Sequence, residues 1–431
     1  MENSTASPAI PTPGRWAPRF FTIWTGQAFS LVGSALVQFA LVWWMTSQTG
    51  SATVLATATL FALLPQIVLG PFVGALVDRW NRRLIMILAD GGIALATGVL
   101  IFLFATNRVQ VWHVYVIMLI RSLGGAFHSP AMTASTSLMV PKSFLTRLAG
   151  FNQTLQGIIG IFAPPLGALL LGLLPMQGVL AVDIVTAALA IVPLLLFAIP
   201  NPPRQEAQAN GTVQKTSYWQ DLVQGFQYVI KWPGLLGIIL MAMLVNFLLV
   251  PASSLAPLVV TKIFNKGVVE LGWIETIFGV GMISGGLLLG AWGGFKRKIV
   301  TTLVGILGIS LGVILVGVAP GDQFFLLLAA NFIIGVAQVL ANGPLGAIFQ
   351  TSVDHDMQGR VFSLIGAGAT AMMPLSLLIA GPISDWLGLR VWYLIGGGLC
   401  ILVTLVGFLT PAILTIEDQH RDAAAVAAIK P

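Results

Sequence analysis

Apolar residues run along this chain in long, nearly uncharged stretches, not in the one-sided stripes of helices on a soluble core. Twelve stretches stand out: 19–45, 52–77, 84–105, 111–139, 148–174, 178–199, 234–260, 271–294, 299–319, 324–352, 361–384 and 391–415. Each has roughly the 20 residues a helix needs to cross a bilayer, and the longer ones are expected to tilt. None alternates like a membrane strand, and only helices and closed barrels satisfy their own backbone in lipid. The pattern predicts an all-α polytopic membrane protein with twelve transmembrane helices in two six-helix halves.

The long polar interruption sets the domain limits. Residues 1–18 form a tail, 19–199 the first six-helix bundle, 200–232 a linker, 233–415 the second bundle and 416–431 a second tail. The linker opens on Pro202 and Pro203 with a Gln/Ala/Asn run, a flexible composition. It ends with Trp219, Leu222, Val223, Phe226 and Ile230 at helical spacing, which predicts an amphipathic helix lying on the membrane surface.

Composition sharpens this picture. Of 431 residues, 57% are hydrophobic and 8% charged, against about 25% charged in soluble domains. The 47 glycines and 24 prolines suit packed membrane helices. No cleavable signal is expected, because the first apolar run is too long for one and lacks a small-residue cleavage site. A single cysteine, Cys400, leaves no internal disulfide and no cysteine cluster for a metal; no cofactor is expected.

The net charge of +6 points to topology, with no nucleic-acid partner. Sixteen of the 21 Lys and Arg residues fall in the two tails, at Arg19 where the first span begins, in the linker and in the loops after even-numbered spans; Arg108, Lys262, Lys266 and Arg390 fall on the other side, and Arg121 inside a span. The positive-inside rule then places both termini in the cytoplasm of a multi-pass cell-membrane protein.

The two halves echo each other. "RSLGGAFH" in span 4 and "NFIIGVAQ" in span 10 align Arg121, Gly125 and His128 with Asn331, Gly335 and Gln338, a polar–small–polar stripe on one helix face. "GALVDRWNRR" after span 2 has a counterpart in "GAWGGFKRK" after span 8, with Gly294 where Asp78 stands. A fainter version, "GPISDWLGLR", follows span 11 on the opposite side, as expected if each half contains two inverted three-helix units. Such repeats are a transporter signature.

Over its full length the chain resembles the major facilitator superfamily. "GALVDRWNRR" resembles that family's loop motif at Gly74, Asp78, Arg79, Arg82 and Arg83. "RSLGG" resembles its second motif, and "APPLGA" at 163–168 its antiporter motif, with Ala163 and Ala168 in place of glycines. The overall flavour is most similar to the macrolide-efflux branch. The resemblance implies the major facilitator fold, drug:proton antiport, and a loop motif that latches the cytoplasmic side in the outward-open state. Physically, Gly74 would let helix 2 approach a neighbour closely, Asp78 would sit near another helix's N-terminus, and the arginines would pair with acids or lipid phosphates.

Charges within spans mark the candidate chemistry. An intramembrane Arg121 faces a cavity or pairs with an acid. His128 either titrates near neutrality or is a hydrogen-bonded core histidine. Asp90, Asp183 and Glu275 are the acids able to carry a proton across; Asp90 comes first, with helix packing as its other reading, and Asp183 and Glu275 are expected nearer to water. Phe29, Gln38, Phe61, Asn246, Asn331, Gln338 and Asn342 are the candidate cavity lining, aromatic and polar but lightly charged, which suits large amphipathic molecules. The chain lacks an ATP-binding loop. A monomeric secondary exporter of amphipathic small molecules, with protons as coupling ion and the bilayer as its surroundings, is the main reading. A siderophore or lysophospholipid exporter and a nutrient importer are its rivals. A channel would need rings of charge or a filter repeat, and a membrane-embedded enzyme a catalytic constellation; the sequence has neither.

Overall fold

The computed structural model describes residues 16–197, 199, 226–353 and 355–417. Among them are twelve helices of 21 residues or more. Those of the first half are α1 (Trp16–Thr49), α2 (Ala52–Arg79), α3 (Arg82–Ala105), α4 (Val111–Met139), α5 (Leu145–Leu173) and α6 (Met176–Leu196). Those of the second are α7 (Pro233–Ser254), α8 (Val268–Trp292), α9 (Lys298–Val318), α10 (Phe324–Ser352), α11 (His355–Leu387) and α12 (Leu389–Leu409). Eleven are long and apolar enough to cross a membrane. The exception, α4, is 29 residues long but carries Arg121 and two histidines. Large apolar side chains lie outward, among them Leu95, Leu173, Leu196, Leu287 and Leu409, each more than 70% exposed, as lipid-facing helices require.

One predicted span is shorter than expected. The stretch 234–260 is not one helix: α7 stops at Ser254, and a short helical turn and a π-turn (Val259–Ile263) follow. Pro257 has no N–H to continue the ladder. The second bundle also runs slightly past 415, because the Glu417 carboxylate accepts the Lys298 backbone N–H at 3.0 Å and so caps the start of α9. Most of the predicted surface helix lies outside the described residues. Of its last turn, Phe226 and Ile230 are exposed and Val229 is buried against the second half.

The first half has two apolar clusters. One joins Phe20, Val77, Met86, Leu148 and Leu194, and the other Val37, Leu41, Leu100, Val114 and Leu180. Asp90, Arg121 and Asp183 fall between them along α3, α4 and α6. The second half has one continuous core, which also takes in Ala52 and Leu55 of α2.

That shared core marks where the halves meet, at the end of the bundle away from Trp16 and Glu417. There Gly381 of α11 lies so close to α2 that an added Cβ would sit 2.9 Å from the Thr53 backbone. Gly272 and Gly279 of α8 pack likewise on Pro165 and Ile161 of α5. Asp385 of α11 accepts hydrogen bonds from the Ala52 and Thr53 backbone N–H groups at 2.7 and 2.9 Å, and from Ser51 Oγ at 2.7 Å. Toward the other end the halves part. Gly74, Gly157 and Gly366 have nothing within 4 Å of a built Cβ, and Phe151 and Ile158 are about half exposed.

Candidate functional site

Two polar clusters sit in the first half. In one, Arg121 Nη1 contacts Asp183 Oδ2 at 2.5 Å. Thr97 Oγ1 donates to the same oxygen at 2.9 Å and Ser34 Oγ to Oδ1 at 3.2 Å, while Arg121 Nη2 donates to the Ser34 carbonyl at 3.2 Å. Four helices thus converge on one ion pair. Asp183 is 1% exposed, which corrects its expected position near water: α3 and α4 cover it, and the salt bridge makes that burial tolerable.

In the other cluster, Asp90 is 6% exposed. Gln27 Nε2 donates to its Oδ2 at 3.2 Å. His128 Nε2 lies 3.5 Å from the same oxygen, close enough for an ion pair but without hydrogen-bond geometry. Arg121 is therefore committed to Asp183, and Asp90 faces two groups that need carry no charge. Gln27, Ser34 and Thr97 complete these clusters and were not site candidates. A single polar residue in an apolar span was the signal available for Gln27.

The second half encloses a cavity of about 350 Å³ between α7, α8, α9, α10 and α12. Asn246, Asn331, Gln338 and Asn342 all line it, and so does Glu275. Glu275 is half-buried and opens on this cavity, where it was expected near bulk water. The wall is otherwise hydrocarbon, with Ile306, Ile309, Val313 and Ile334 prominent. The repeat alignment that found Asn331 needs one adjustment. Counted from each helix start, Arg121 is residue 11 of α4 and Asn331 residue 8 of α10, so the two stripes are offset by about one turn.

The first-half lining candidates do not join that cavity. Phe29 lies in an open groove with Thr22, Thr25 and Leu189, because its face of α1 turns to α6. Phe61 stacks on Tyr115 with centroids 5.5 Å apart. Gln38 is half-buried on α1, away from the cavity lining.

The loop motif is only partly described. The Asp78 and Arg79 side chains lie outside the described residues. Gly74 makes no close approach in this conformation, contrary to expectation, since the halves are parted at that end. Arg82 Nη1 donates to the Ala134 carbonyl at 2.8 Å, and Arg83 donates to the carbonyls of Leu194 and Leu195 at 2.5 and 2.7 Å. The latter places a cation on the C-terminus of α6. These contacts bind the first half to itself.

Two six-helix bundles, joined at one end and parted at the other, with polar groups buried in each, define the class: a membrane transporter fold. The chain belongs to the Major Facilitator Superfamily, whose family model matches residues 23–260 and again 235–427. It is 35% identical over 395 residues to "Macrolide efflux protein A" of Streptococcus pyogenes, covering 91% of this chain and 95% of that protein. It is 25% identical over 401 residues to "Multidrug efflux pump Tap" of Mycolicibacterium fortuitum, covering 89% and 94%. Among solved structures, the nucleoside transporter NupG matches at a TM-score of 0.67 and 13% identity, covering 91% of this chain and 98% of that one. A bacterial homologue of the human lysosomal transporter Spinster matches at 0.66 and 14%, covering 95% and 98%.

Proposed function

We propose that this chain is a secondary active exporter of amphipathic small molecules, macrolide-like drugs among them, working as a monomer by proton antiport. Both termini face the cytoplasm of the cell membrane, as the charge asymmetry indicates. The observation that carries the reading is near full-length kinship, at 35% identity, with a protein named for macrolide efflux.

The geometry supports alternating access. The halves close at the outer end and part at the inner end, so substrate enters from the cytoplasm. Rocking about the contact region, with the Gly74–Arg83 loop closing the inner end, then exposes it outside. Asp90 is the proton carrier: its partners are Gln27 and His128, whereas Asp183 is paired with Arg121. The test is erythromycin susceptibility of cells lacking or overproducing the protein, paired with erythromycin-driven proton movement in proteoliposomes. Raised resistance and outward drug flux coupled to inward protons are expected. Unchanged susceptibility and no drug-linked proton flux would refute the reading.

A further inference from the structure

The second-half cavity holds a carboxylate with no counter-charge. Among the described residues Glu275 makes no hydrogen bond or ion pair, and no Lys, Arg or His lines the cavity. Of the three acids singled out within the spans, Asp183 is met by Arg121 and Asp90 by Gln27 and His128. Glu275 alone is left without a partner.

The amides around it are held by their own helices. Asn246 Nδ2 donates to the Ala242 carbonyl at 2.8 Å, Asn331 Nδ2 to Leu327 at 2.8 Å and Asn342 Nδ2 to Gln338 at 3.0 Å. Each amide thus commits one of its two N–H donors to its own helix one turn back, and its Oδ1 has no partner among the described residues. Glu275 is the one charged residue type in the lining, among neutral amides and hydroxyls and within a wall of isoleucine and valine. A carboxylate in such surroundings is either protonated or paired with a cation, and a bound cation is what would hold it ionised. An anion would be repelled, and a sugar would leave the hydrocarbon wall unmatched.

We infer that this cavity is a binding site for a lipophilic monocation, with the charged centre against Glu275 and the apolar groups on the wall of α9 and α10. Its volume lies at the lower end of small-molecule sites, so it admits a compact aryl or alkyl cation whole. That such a ligand is also a transported one rests on the exporter reading; the binding site does not.

The probe is tetraphenylphosphonium, whose charge does not depend on pH, with tetraphenylborate as the anion of the same shape. Equilibrium binding is measured on the full chain in detergent, with no membrane gradient. Glu275→Gln should weaken tetraphenylphosphonium binding by at least about tenfold, the loss expected when one partner of a desolvated charge pair is removed. Glu275→Asp should recover part of the affinity, and tetraphenylborate should not compete. If Glu275→Gln does not purify folded, Asn331→Leu and Asn342→Leu each remove an acceptor and should weaken binding severalfold. No binding to the parent protein, equal binding to folded Glu275→Gln, or equal competition by tetraphenylborate would overturn the inference. Erythromycin export with Glu275-independent tetraphenylphosphonium binding would sink this site and leave the exporter standing. Glu275-dependent binding without export in cells would do the reverse.

Discussion

Replacing Asp385 should loosen the closed end of the molecule. Its carboxylate sits at the N-terminus of α2, a helix of the other half, and takes three hydrogen bonds there from Ser51, Ala52 and Thr53. Those bonds exist only while the halves meet at that end. An acid at a helix N-terminus contributes about 0.3–1 kcal/mol, and hydrogen bonds to a charged group add about 1.5–3 kcal/mol each where sheltered. Asp385 is exposed, so the total is discounted to about 2 kcal/mol. Lost from one conformation only, that moves the ratio of closed to open states at that end by about thirtyfold. Spin labels at Gln48 and Phe325, both exposed near that end and on different halves, report the separation. The native Cys400 is fully buried, so background labelling is low. Asp385→Asn and Asp385→Ala should each bring up a longer-distance population. Distance distributions identical to the parent in both variants would refute the argument.

Asp183→Asn strands a buried arginine and should cost about 3–5 kcal/mol, read as lost melting temperature; Asp183→Leu combined with Arg121→Met should recover most of it. Gly335→Val should prevent assembly of the second half, because a Cβ there already falls 2.2 Å from the Phe278 carbonyl, and size-exclusion profiles report it. For topology, cysteines at Ser47 and Asp322 should react with an impermeant maleimide on intact cells, while one at Ser143 should react only after lysis.

How much of this was legible in the sequence follows from what lipid demands. A bilayer forces each crossing segment to be long and uncharged, so run length alone located all twelve helices, including the polar α4. Only Pro257 broke a predicted span, and proline is a marker that run length ignores. Lone amides in apolar runs pointed to a shared cavity because a polar group in lipid needs somewhere to face; Asn246, Asn331, Gln338 and Asn342 converge for that reason. Aromatics carry no such constraint. Phe29 and Phe61 are as comfortable against lipid or a stacked ring as in a cavity, and neither lines this one. The partner of Arg121 was hidden as well, since Asp90 and Asp183 have similar sequence surroundings. It is the packing of α3 on α6 that carries Thr97 to Asp183. "GPISDWLGLR" was visible as a weak repeat, but its role required the start of α2, more than 300 residues away.

The division of charge between the halves leads to a last prediction. In the first half Arg121 pairs with Asp183, and Asp90 lies beside Gln27 and His128. In the second half, Glu275 faces an apolar cavity without a counter-ion. If protons are carried by Asp90 and the ligand's cation by Glu275, the two do not compete for one carboxylate. Their coupling must then pass through the movement of one half against the other, since only that movement changes the water access of both sites. The consequence separates two variants that a single shared site would make alike. Asp90→Asn should leave tetraphenylphosphonium affinity without a gradient within about twofold of the parent, well under the tenfold that 1.4 kcal/mol represents, yet abolish its gradient-driven accumulation in inverted vesicles. Glu275→Gln should lose the affinity while erythromycin-independent proton leak stays at the parent level. Tetraphenylphosphonium binding lost equally in both variants would mean that proton and cation share a site, and the division between the halves would fall.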